Sequence, residues 1–283
     1  MKRIVVDTST GCLDYFNHGY NIPVIRINLY FGEESYQDGV DIKSEEFYER
    51  LQREKSLPQT SQPSLGYLCD FFTNLYEQGY EEAIVTTISS ALSGTYNGIN
   101  NVKEMLSDKI NIIVFDTKTV CFNEGYFAYK AAKWVDEGLS TEEIMKKLEF
   151  MRDNNSLYFS LNSLEYVIKN GRLSNAAGLI ATMLKIKPLL KIEPDGKMVV
   201  VEKIRTLSKS LKTVVDTVYE KVNGKKYTLI LHHALYNDTI TEILGYIKEK
   251  FPNDEIIIMP ITPVVGTHIG YDGTGLGYFI DEE

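Results

Sequence analysis

Apolar positions along the chain fall into two alternating rhythms. "RIVVD" (3–7), "EEAIVTTI" (81–88) and "KINIIVFD" (109–116) are short, β-branched runs with the look of buried strands. "VIRINLYF" (24–31) sets polar Arg26 and Asn28 against Ile25, Ile27 and Leu29, the alternation of a half-buried strand. Elsewhere the spacing lengthens to three and four. In "SLGYLCDFFTNLYEQG", Leu65, Leu68, Phe72 and Leu75 stripe one helical face. Ser44 ahead of Glu45 and Glu46 predicts a helix start, and "EGYFAYKAAKWVDEG" (124–138) and "TEEIMKKLEFMRDN" (141–154) predict two more helices. Ser140 and Glu143 supply a capping box for the second of these. Strand and helix alternating at this rhythm predict βαβ units and a largely parallel sheet.

Near residue 154 the texture changes. "SLYFSL" (156–161) reads as a strand, and "NSLEYVIKNGRLSNAAG" as a short helix, a Gly turn and a second helix start. "PLLKIE" and "MVVVEKI", joined by "PDGK", predict a hairpin. A helix (206–222), a strand (227–232), a helix (238–250) and a strand (255–261) complete the pattern. The expectation is an α/β fold in two domains. An N-terminal α/β domain, 1–153, has a mostly parallel sheet flanked by helices. A C-terminal α/β domain, 154–283, has a mixed or antiparallel sheet.

Composition narrows the function classes. A formal net charge of −9 over 283 residues argues against nucleic acid, which demands a surplus of Lys and Arg. "MKRIVVDTST" carries only three consecutive apolar residues, so no signal peptide is expected, and no run approaches the roughly 18 apolar residues of a membrane helix. Cys12, Cys69 and Cys121 are widely spaced, as reduced structural thiols of a cytoplasmic protein would be. The phosphate-loop, zinc-protease and dinucleotide fingerprints are absent, and the four histidines give no metal spacing. Neither a cofactor nor a metal is expected.

The chemistry concentrates in turns rich in hydroxyls. "TISSALSGTYNG" (87–98) follows a strand and opens a helix through Tyr96, Ile99, Val102 and Leu106, so Ser93, Gly94 and Thr95 stand where free N–H groups favour an anion. Gly94 leaves room for close approach to the backbone. "PQTSQPS" (58–64) repeats the arrangement with Thr60 and Ser61, and Pro63 suits the first turn of the next helix. Two such helix starts from one sheet converge at a common edge. The same serines and threonines serve equally as plain N-caps. A serine nucleophile is a third reading, weakened because Ala91 stands where a nucleophile elbow has its first glycine. Residue chemistry alone therefore stops at an α/β protein with an anion site or two capped helices. Phe71, Phe72, Tyr126 and Phe127 are expected in the core.

"TSQPS" (60–64), "SSALSGTYN" (89–97), "NGRLS" (170–174) and "GTHIG" (266–270), in this order, resemble the DegV family of bacterial fatty-acid-binding proteins across essentially the whole chain. The resemblance implies one long-chain fatty acid, of the palmitate, stearate or oleate class, buried between the domains. It implies a carboxylate held by Ser61 and Ser93, with Thr60, Gly94 and Thr95 beside them and Arg172 and His268 close to the head group. It also implies a partner, the catalytic subunit of a fatty-acid kinase, which phosphorylates the presented carboxylate; Arg205 falls where such relatives carry a docking cation. On this reading the protein is a cytoplasmic carrier without catalysis or stable membrane insertion of its own. The rivals are a stand-alone serine esterase and a binder of some other small anion. In one place the chain departs from the family. Tyr271-Asp272 follows Gly270 where relatives often have proline, which alters the turn after His268 and adds a negative charge.

Overall fold

The computed structural model describes residues 2–54, 57–174, 176–179, 185–235 and 237–282. The first domain is built on β1 (Arg3–Thr8), β2 (Val24–Ile25), β6 (Glu82–Thr87) and β7 (Asn111–Asp116), all parallel in the order β2-β1-β6-β7. β1 and β6 are buried almost end to end, which is why they read as continuous apolar runs. Helices α2 (Leu65–Glu77) and α3 (Thr95–Met105) cover one face, where Leu68, Phe72, Ile99 and Val102 pack on Val6 and Val85. Leu65, counted in the apolar stripe of α2, is 45% exposed. The other face carries α4 (Phe122–Asp136) and α5 (Thr141–Asp153), and the capping box of Ser140 and Glu143 is formed.

Beside this sheet lies a second, antiparallel one of three strands, β3 (Asn28–Phe31), β4 (Glu34–Gln37) and β5 (Gln59–Ser61), in the order β4-β3-β5. The run 24–31, expected as one strand, is thus split: β2 stays with the parallel sheet and β3 leaves it. Arg26 sits at the break, with its guanidinium on both oxygens of Asp14 (2.5 and 2.9 Å) and on the Asp38 carbonyl (3.1 Å). Helix α1 (Ser44–Arg53) is capped by Lys43 without a side-chain bond, because the Ser44 hydroxyl donates to the Ile261 carbonyl (3.0 Å) instead of capping.

The second domain is a mixed six-stranded sheet, ordered β10-β9-β8-β13-β11-β12. Its strands are β8 (Asn155–Ser160), β9 (Leu189–Ile192), β10 (Met198–Glu202), β11 (Tyr227–His233), β12 (Ile256–Pro260) and β13 (Thr274–Ile280). All neighbours are antiparallel except β11 and β12, and β9 and β10 form the hairpin expected at PDGK. α7 (Leu207–Val222) and α8 (Asp238–Lys250) cover the outer face. Short α6 (Glu165–Lys169) ends in a Gly171 turn at φ +69°; Ala176–Gly178 forms a 3-10 turn, and residues 180–184 lie outside those described. Two elements of the C-terminal stretch were not anticipated from the sequence. They are α9 (Pro263–Ile269) and β13, which occupies the middle of the sheet.

The inner face of this sheet meets α4, and one apolar core runs through both domains: Phe127 and Tyr126 of α4 lie 5.4 and 4.9 Å, centroid to centroid, from Phe279 of β13. The approach is so close that a Cβ at Gly277 would fall 2.0 Å from Asn123 Oδ1, and one at Gly125 would fall 1.9 Å from the Gly11 carbonyl.

Asp38, between the small sheet and the start of α9, is wholly buried with neither carboxylate oxygen in a hydrogen bond. Burial pushes its carboxyl from 3.8 up to about 7, although nearby Ser9 and Arg26 favour the anion. Its contribution to stability is complete below the ordinary carboxylate range and is lost as pH rises through about 7. Asp38→Asn is expected to match the wild type near pH 4 and to exceed it by on the order of 4 kcal/mol above pH 7. Urea denaturation across that range measures the gap; a gap independent of pH would show that Asp38 does not titrate there.

Candidate functional site

A cavity of about 930 Å³, its mouth included, opens between the two domains. Thr60, Ser61, Gln62, Ser93, Gly94, Arg172 and His268 all line it. These polar residues are the partly exposed ones, whereas the apolar lining, among it Ile88, Val120, Leu157, Phe159 and Val265, is buried. The cavity therefore has a polar mouth and a mostly apolar interior.

Each polar side chain is delivered by a different element. β6 ends at Thr87, and the turn after it carries Ser93 to the start of α3. Ser93 Oγ accepts the Thr95 N–H (3.2 Å) and shares a hydrogen bond with Thr95 Oγ1 (2.9 Å). Gly94, the residue that caps α3, has no side chain to offer, and nothing in that turn bonds the later free amides. Thr95 is buried and does not reach the cavity; it steadies Ser93.

The 60–64 turn is built differently from the expected second helix start. Thr60 and Ser61 lie on β5, a strand of the small sheet rather than of the parallel one. Pro63 stands outside α2, whose cap is Ser64, accepting from Tyr67 N (3.1 Å). The two hydroxyl turns therefore meet across two sheets. Thr60 Oγ1 bonds His268 Nε2 (2.9 Å), and Ser61 Oγ bonds Tyr30 OH (3.0 Å). Gln62 belongs with them, since a Cβ on Gly94 would fall 1.8 Å from its Oε1. The space above Gly94 is thus taken by the Gln62 carboxamide. Gln62 stood inside the quoted TSQPS motif but was not singled out.

Arg172 follows the Gly171 turn and is anchored by backbone carbonyls, Nη1 to Asn170 O (2.6 Å) and Nε to Leu92 O (3.3 Å). Its second bond ties the arginine to the residue just before Ser93. His268 is in the last turn of α9. Burial and the neighbouring Arg172 push its imidazole down to about 3, so the ring is neutral at physiological pH and Arg172 is the cationic side chain beside the mouth. Because His268 Nε2 is engaged by Thr60, and Ser93 by Thr95, no Ser–His pair of the kind a hydrolase requires is formed among these residues. Beyond His268, Gly270 takes φ +82°, with Tyr166 against its Cα, and Asp272 accepts from Asn162 Nδ2 (3.1 Å). Arg205 is exposed, in the link between β10 and α7, and does not line the cavity. Phe71, Phe72, Tyr126 and Phe127 pack in the core and also stay out of it.

Three lining residues escaped the sequence reading. Thr10 donates to both carboxylate oxygens of Glu124 on α4 (2.9 and 2.7 Å), and Thr8 bonds the same group. Burial, with Asp7 close by, pushes the Glu124 carboxyl well above the usual range. Cys121 and His232 form part of the inner wall. Of the adjacent pair His232 and His233 on β11, His232 is the buried one, 1% exposed.

A family profile described as an uncharacterised protein of the DegV family matches residues 2–281. A DegV domain-containing protein of Halalkalibacterium halodurans is 33% identical over 262 residues, 92% of this chain and 91% of the relative. The crystal structure of a fatty acid binding DegV family protein from Streptococcus agalactiae superposes with a TM-score of 0.91 at 26% identity, covering 100% of both chains. A stearic acid-binding protein from Eubacterium ventriosum gives 0.87 at 25% identity, covering 99% of this chain and 98% of its own.

Because burial is the first cause of the low His268 basicity and Arg172 the second, Arg172→Met is expected to raise the pH at which His268 titrates without bringing it to the ordinary 6.5. NMR titration of the imidazole C–H signals measures this. A wild-type His268 that titrates near 6.5 would mean the ring is solvated.

Proposed function

As the chain belongs to the DegV family, we propose that it binds one long-chain fatty acid in the cavity between its domains and presents the carboxylate to a partner kinase as a cytoplasmic carrier. The observation that carries this reading is the polarity gradient of the cavity: Thr60, Ser61, Gln62, Ser93 and Arg172 gather at the partly exposed mouth, and the interior is mostly apolar, with Thr10, His232 and Thr274 its buried polar side chains. An amphiphile with one anionic end fits that gradient. A small hydrophilic anion would leave the interior without a partner.

The energetics favour the same ligand. About fifteen tail carbons of a sixteen-carbon acid, at ~0.8 kcal/mol each, supply on the order of 12 kcal/mol before the costs of ordering. The carboxylate would be costly to bury unpaired. Ser61, Ser93 and the uncapped amides of α3 supply neutral donors, and Arg172, drawn toward them through Leu92, supplies charge. Thr60, Gly94, Thr95 and His268 hold these donors in place. Neutral donors satisfy the carboxylate while leaving an oxygen free to attack the phosphorus of a phosphoryl donor, whose leaving group departs with the bond it gives up; this suits presentation to a kinase. Arg205, exposed on the second domain, is the proposed docking cation.

Protein purified from a bacterial host is expected to yield a long-chain acid by extraction and mass spectrometry. Empty protein that also refuses added palmitate and oleate would overturn the assignment. Ser93→Ala is expected to weaken fatty-acid binding about 10- to 100-fold, the loss of one hydrogen bond to a charged group, while the fold is retained. Turnover of a p-nitrophenyl ester by the wild type, abolished in Ser93→Ala, would instead identify an esterase.

A further inference from the structure

The turn between β6 and α3 is gripped by both domains. Its own domain holds it through Ser89 N–H, which donates to the Thr119 carbonyl (2.9 Å), and through the Ser90 hydroxyl, which donates to Asp116 (2.6 Å). The second domain holds it by different bonds. Ser89 Oγ donates to the Gly196 carbonyl at the tip of the β9–β10 hairpin (2.9 Å), and the Leu92 carbonyl accepts from Arg172 Nε (3.3 Å). Within the turn, the Ser89 carbonyl accepts the N–H groups of Leu92 (2.9 Å) and Ser93 (3.1 Å). Within the second domain, the Met198 carbonyl accepts the N–H of Ser174 (3.0 Å), just beyond Arg172. These bonds close a ring that runs from Leu92 and Ser93 to Ser89, across to the hairpin, on to the 172–174 segment, and back through Arg172 to Leu92. Leu92, Ser93, Arg172 and Met198 line the cavity; Ser89 is wholly buried and does not. The hairpin fits tightly on it, since Gly196 takes φ +84° and a Cβ there would fall 2.1 Å from Ser89 Oγ.

We propose that Ser89 is a positioning residue for the head-group site, setting Ser93 of the first domain against Arg172 of the second through its carbonyl and its hydroxyl. The inference rests on the carrier reading and adds to it a residue that touches no ligand. A carboxylate held by both groups gains in full only where their separation is kept to within about 0.5 Å. A neutral head group offers Arg172 no charge and asks far less of that separation. Ser89 therefore bears on the choice between an acid and a neutral lipid, and not on burial of the tail.

The test measures palmitate and hexadecan-1-ol, which share a tail, on the delipidated full chain. Ser89→Ala removes the donor to Gly196 and keeps the backbone bonds of the turn. It is expected to weaken palmitate about tenfold and to leave hexadecan-1-ol within about twofold of the wild type. Beside Arg172→Met, with no cation left to position, the same substitution is expected to cost palmitate less than about threefold. Gly196→Ala reaches the contact from the hairpin side and is expected to show the same loss of acid preference, which keeps the test decisive if Ser89→Ala does not fold. Equal losses for acid and alcohol, an unchanged palmitate affinity in Ser89→Ala, or a full cost that persists beside Arg172→Met would overturn the inference and leave Ser89 to the fold alone. Wild-type protein that binds no palmitate would instead overturn the carrier reading itself.

Discussion

The two domains are held in register by the polar first turn of α4, which is buried on every side. A helix start that carries Asn123 and Glu124 at 0% exposure must find partners for both in the protein. It finds them in opposite directions. Glu124 takes the hydroxyls of Thr8 and Thr10 from the first domain, and Asn123 takes Ser156 and His232 from the second. Gly11 and Gly277 let the helix come close enough to do so, since any Cβ at either position would collide. The cavity borders this seam, and its inner wall includes Thr10 and His232, two of the residues that complete it. Positioning α4 and shaping the pocket are the same packing problem.

Carboxyls in this interior are kept close to neutral. Asp7, bonded to Thr86, is pushed up to about 7 by burial, and Glu124 is raised well above the usual range by burial and by Asp7. Positive charge is instead placed at the mouth, where Arg172 lines the cavity.

Most of the architecture was legible because its signals are local. Apolar runs gave β1, β6 and β7, a three-and-four spacing gave α2, and PDGK gave the β9–β10 hairpin. The split of 24–31 was hidden because β2 and β3 keep one alternation while belonging to different sheets; only the Arg26–Asp14 pair marks the break. α9 has seven residues, too few for a period to show, although Pro263 at its first position was a start signal. Gly273 just before the next strand, and Gly275 and Gly277 within it, recur at a period of two that reads as loop when side chains are counted. These positions are crowded by different neighbours, Ile269 at Gly273, Phe159 of the paired β8 at Gly275, and Asn123 of α4 at Gly277. At the site, Ser93, Arg172 and His268 were found through motifs. Gln62, Thr10 and His232 were not, because what places them is contact across the domain seam.

The order of strands in the second sheet has a consequence for how the protein is made. β13 lies between β8 and β11, so the strand that joins those two halves is synthesised after both of them. Until residues 274–280 leave the ribosome, β8 and β11 have open edges and the wall bearing Gly275 does not exist. A nascent chain must therefore hold a nearly complete first domain beside an unfinished second one. The cavity, which Thr274 and Gly275 help to line, is thus completed only after residues 274–280 have been made.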